Sequence, residues 1–141
     1  MAVDGFEKIL PLILGDEPDE KKRAAYEHSA RGFWRDGNCG KLPLPLAFLL
    51  TEAAFSVTLP RAVRWMQRVA GGMAQTGTMD DGSAVNIATM FGFEPEAMID
   101  TFTYLRKDYF RQTSITADLD LEDGLANEAC VAALALLKAG N

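Results

Sequence analysis

A single histidine and two cysteines stand among the 141 residues of this chain, and that scarcity removes much of enzyme chemistry at the outset. His28 by itself cannot supply a catalytic pair of imidazoles, a zinc site built on several histidines, or the Glu-x-x-His motifs of a ferritin-like di-iron bundle. On a helix it points away from the side of Tyr26 and Phe33, toward Arg31 and Arg35, and is expected on the solvated surface. Cys39 and Cys130 are far apart with no CxxC spacing, so each is expected to be a free, buried thiol rather than half of a disulfide. The motifs GxSxG, HExxH, GxxxxGK[ST] and GxGxxG are also missing, which excludes a hydrolase elbow, a zincin site, a phosphate loop and a dinucleotide fingerprint.

Long apolar runs are lacking too. The most apolar stretch, Leu42 to Leu50, is broken by Pro43 and Pro45 and followed by Glu52, well short of the roughly 20 residues a bilayer span needs. The first twenty residues carry Asp4 and Glu7 in place of a basic n-region, so no secretory leader is expected and the cytoplasm is the expected location. The acid run from Asp118 to Gly124 invites comparison with a calcium loop. Counted from Asp118, position six is Asp123 where glycine belongs and position twelve is Ala129 where a bidentate Glu belongs, so both key positions fail. Carboxylates at helical spacing, such as Glu96 with Asp100, read as exposed helix acids, and neither a metal nor a cofactor is implied.

What is present is the balance of a globular helical protein: 48% apolar and 24% charged residues, with a net charge of -6. One domain over residues 1–141 is expected, because a chain of this length buries enough surface for its own core. The charge is unevenly spread. Residues 1 to 40 hold eight acids and six bases, residues 41 to 78 one acid and four bases, and residues 79 to 141 eleven acids and four bases. A basic middle therefore faces an acidic C-terminal part, and mutual neutralisation within the fold or across a homodimer is the simplest expectation.

Helix punctuation is frequent. Asp4 can cap a first helix ending at Gly15. Asp16 can cap a second, with Pro18 in its first turn, Gly37 as its stop and Tyr26, Ala30, Phe33 and Trp34 on one inner face. LAFLLTEAAFSV is apolar nearly all round, which predicts a helix through the middle of the fold. Thr58 caps the next helix, whose inner face is Leu59, Val63, Met66 and Ala70. Glycines at 71, 72, 77 and 82 mark a loop, and helices are expected over about 84 to 91 and 95 to 111. TSITADLDLEDG is the only plausible strand, and an alanine-rich helix should run from Leu125 to Lys138. The fold class these elements predict is all-α: a single-domain orthogonal bundle of six or seven helices around a central apolar one.

Two surfaces could carry function. Arg61, Arg64 and Arg68 fall on successive turns, opposite the inner face of their helix, with Trp65 beside them. Such a row can grip carboxylates or phosphates bidentately, and an indole adds interface area. The second is IATMFGFEPEAMIDTFTYLRK, residues 87 to 107, which resembles a helix-turn-helix motif. Ile87, Phe91, Phe93 and Met98 stand in the apolar slots, Ala88 at the small contact and Gly92 at the turn, with Phe93 able to staple onto Met98. The positions facing a major groove would be Glu94, Pro95, Glu96, Ile99, Asp100 and Thr103, with three negative charges and no positive one. Carboxylates there repel phosphates, so nucleic acid is not the expected partner. The expected function is non-catalytic and cytoplasmic: an adaptor, small accessory subunit or inhibitor that contacts another protein, or itself as a homodimer, through Arg61, Arg64, Trp65 and Arg68 and through Glu94, Glu96 and Asp100. A helix-turn-helix-type transcription regulator or a degenerate relative is the second reading. A helical bundle binding a small molecule or lipid is the third, and its support from eight phenylalanines and six methionines fits a core equally well.

Overall fold

The computed structural model describes residues 5–113 and 119–140. Among them are seven α-helices and no strand: α1 (Gly5–Leu14), α2 (Glu20–Asp36), α3 (Leu44–Ser56), α4 (Leu59–Ala70), α5 (Asp81–Phe93), α6 (Pro95–Thr113) and α7 (Leu119–Ala139), with a short 3-10 turn at Cys39–Lys41. The expected all-α bundle is the fold observed. α3 is its centre, packing against α1, α2, α4, α6 and α7. Leu46, Ala47, Phe48, Leu49 and Leu50 are all buried, because a helix without a polar stripe can only satisfy water exclusion by being enclosed on every side.

Several boundaries differ from the sequence reading. α2 is capped by Asp19, whose carboxylate accepts from the backbone N–H groups of Lys21 at 2.9 Å and Lys22 at 3.4 Å. Asp16 instead belongs to the turn that follows the left-handed Gly15. α5 starts earlier, at Asp81, capped by Asp80 accepting from Ser83 N–H at 2.7 Å. It also runs through Gly92 to Phe93, so the break before α6 falls at Glu94 and not at the glycine. The proposed strand region from residue 119 onward is the first turn of α7, where Asp120 and Glu122 favour the positive end of the helix dipole over the period-two pattern of Leu119 and Leu121. Thr113 at the start of that segment ends α6, and residues 114–118 and the Asp4 cap lie outside the described residues.

Loops are tied down by buried polar side chains. Gln67 is fully buried on α4: its Nε2 donates to Thr76 Oγ1 at 3.1 Å, Thr78 O at 3.0 Å and Ser83 Oγ at 3.3 Å, and its Oε1 accepts from Gly77 N–H at 3.1 Å. This one amide fixes the 71–80 loop. Gly37 is required by close approach, since a Cβ there would sit 2.8 Å from Phe33 O. The left-handed Asn38 that follows donates to Met79 O and to Asp81, which also pairs with Lys41 at 2.8 Å; that ammonium holds the Asp81 carboxyl below its usual range.

Candidate functional site

α4 forms where the sequence predicts. Thr58 Oγ1 accepts from Arg61 N–H at 3.3 Å, Pro60 stands in the first turn, and Gly71 at φ +74 ends the helix. Ala62, Val63, Met66 and Ala70 are buried beneath it. The three arginines emerge on the other side in distinct settings. Arg61 lays its guanidinium over the Tyr109 ring, 4.4 Å from the centroid. Arg64 folds against the loop, so that a Cβ on Gly77 would meet its Nη1 at 2.8 Å. Arg68 is exposed. Among the described residues, none of the three has a carboxylate within ion-pair distance. Of the two expected modes of neutralisation, pairing within the fold is thus not formed for this row among the described residues.

Trp65 does not share the arginines' surface. It is 8% exposed and makes edge contacts with Phe102 at 5.9 Å and Tyr109 at 5.6 Å. Its position lies at the border of the inner face, and so large a ring gains more from turning into the α4–α6 seam than from facing water. The indole thereby supports the Tyr109 ring on which Arg61 stacks, and the row is one of guanidiniums alone.

Glu94, Glu96 and Asp100 are all exposed at the start of α6, Asp100 Oδ1 standing 3.7 Å from Cys130 Sγ. The neighbouring positions differ from the helix-turn-helix geometry. Ile99 is 0% and Thr103 7% exposed, so two of the six positions assigned to a groove-facing surface belong to the core. Phe93 is 76% exposed while Met98 is buried, and no staple joins them. α6 is rotated relative to the expectation because Ile99, Phe102 and Thr103 bury against the bundle. No group of three side chains able to hold a metal ion is found among the described residues. No helix among them is long and apolar enough to cross a membrane.

No protein-family model, curated protein or solved structure matches this chain.

One constellation escaped the sequence reading. Arg106 of α6 is 1% exposed and grips Glu52 of α3 with both terminal nitrogens, Nη1 to Oε1 and Nη2 to Oε2 at 3.2 Å. Nη2 also donates to Ser56 Oγ at 2.9 Å, and Nε is buried without a partner. The signal for it was present: Glu52 is the one acid between residues 41 and 78, set in an apolar helix, and a carboxylate placed there needs a cation. The two cysteines are free, as expected, but only Cys39 is buried; Cys130 is half-buried. Burial pushes the Cys39 thiol up to about 12.

Proposed function

We propose that this protein works without catalysis of its own, as a cytoplasmic adaptor, small accessory subunit or inhibitor, and that the outer arginines of α4 dock an acidic protein surface. The observation that carries this reading is that Arg61, Arg64 and Arg68 have no ion-pair partner among the described residues, in a chain with twenty acids. Two of them are held in place by uncharged contacts, Arg61 on Tyr109 and Arg64 on the Gly77 turn. Less side-chain freedom is then lost when a carboxylate arrives, and guanidinium suits bidentate contact with it. Glu94, Glu96 and Asp100 form a second surface suited to a basic partner, including the arginine row of a second copy. A DNA-binding regulator draws support from the adjacency of α5 and α6 alone, against three carboxylates on the outer face.

The test is capture from the source cell on immobilised wild-type protein and on Arg64→Glu. Wild type is expected to retain one stoichiometric partner, released by raised salt, and the variant to lose it with an unchanged melting temperature. Retention by the variant at wild-type level would remove α4 as the docking face.

A further inference from the structure

Glu52, held from behind by the buried Arg106, lines an open cleft, and we propose that this cleft binds a small neutral molecule with an aromatic or alicyclic body and one hydroxyl or carboxamide. The cleft has a volume of about 360 Å³ and is walled by Ile13, Tyr26, Phe55 and Leu125, with Glu52 and Ser56 as its polar lining. A second lobe of about 270 Å³ continues from the shared residues Ile13, Glu52 and Leu125 past Phe48 and Ala129. Apolar walls with a few convergent polar groups, at the lower end of the volume range for ligand sites, describe a pocket for a small molecule.

The polar groups define the head group. Arg106 occupies one lone pair on each Glu52 oxygen, and a carboxylate oxygen has two, so Glu52 retains acceptor capacity at its 19% exposed edge. Ser56 Oγ accepts from Arg106, which leaves its own proton to donate, and the described residues give that proton no acceptor. An acceptor and a donor one helical turn apart are met by a group that both donates and accepts. An anion would face the Glu52 carboxylate, and Glu128 in the second lobe. A cation would find the Glu52 charge already balanced by Arg106. An ion pair used only as a brace could be replaced by apolar side chains without loss; here it presents a rigid, oriented carboxylate to an aromatic-walled space.

The probe is 2-naphthol, titrated into the full chain and followed by its fluorescence and by backbone amide shifts, with 2-naphthoate as the anionic counterpart. Saturable one-to-one binding is expected, with the Ser56 and Leu125 amides moving. 2-Naphthoate should bind about tenfold more weakly or worse, and Leu125→Trp, which fills the cleft, should weaken 2-naphthol by about tenfold or more. Phe55→Ala at the half-open rim tests the same wall without touching the core and should weaken binding severalfold. Absence of saturation, equal binding of 2-naphthoate, or binding indifferent to Phe55→Ala would each overturn the proposal. Arg64→Glu should leave 2-naphthol binding unchanged, which separates this site from the α4 docking face.

Discussion

Glu52 shows how one residue constrains a whole helix. A carboxylate in an apolar segment must find a cation as the helix packs, and Arg106 on α6, 54 positions away, is the one it meets. Removing one partner of such a pair leaves the other uncompensated, so Glu52→Gln is expected to destabilise the fold by about 3–5 kcal/mol in urea unfolding. The double replacement Glu52→Leu with Arg106→Met should cost less than Glu52→Gln; equal or greater loss would show that the charges themselves hold α3 to α6. Cys39 makes a second prediction at this scale. Its thiol rises from the ordinary 9.0 to about 12 on folding. The unfolded chain therefore ionises first, and this stabilising contribution is complete below pH 9 and lost as the pH climbs toward 12. Wild type should lose stability faster over that window than Cys39→Ala, measured by denaturant midpoints at each pH. If the two fall in parallel, Cys39 does not titrate as its burial requires.

At the scale of elements, α3 and α4 were the most legible and α5 to α7 the least. α3 reads as central because it offers no polar face, and it packs as such. Leu49→Ala should cost about 2–5 kcal/mol by thermal or urea unfolding, since the cavity it opens is enclosed by neighbours that cannot all move in. A loss under about 1 kcal/mol would mean that the core around α3 is loose. α4 was legible for its cap, its proline and its spacing. Trp65 was not, because a residue at the border of a face is placed by what the next helix offers, here Phe102 and Tyr109. Likewise Gly92 reads as a turn, but a single glycine costs a helix only about 1 kcal/mol and α5 continues through it to Phe93. Motif geometry points Ile99 and Thr103 outward, and packing turns them inward.

Across the whole molecule the net charge of -6 conceals a division. The described ion pairs do not join the arginine row to the acidic C-terminal part; they tie Arg31 to Glu7 and Glu27, Arg35 to Asp36, Lys41 to Asp81, Arg106 to Glu52 and Arg111 to Asp123. Long-range charge balance read from segment totals is a poor guide to pairing, because ion pairs form between groups a few ångströms apart. The protein is expected to leave mixed duplex DNA fragments unretarded even at low salt, in a gel-shift titration, because carboxylates line the face its α5–α6 pair would present. Retardation that falls steeply with added salt would reverse that expectation and revive the regulator reading.

The residues taken alone determined the helical class, the apolar centre, the capping of α4 and the arginine row, since each follows from spacing, propensity and local hydrogen bonding along one segment. Tertiary structure alone decided that Arg106 would be buried on Glu52, that Trp65 would leave the surface, that α6 would turn Ile99 inward, and that a cleft would open beside Tyr26 and Phe55. These depend on which helices meet and at what rotation, and that is set by the competition of all faces for burial, a quantity no single segment contains.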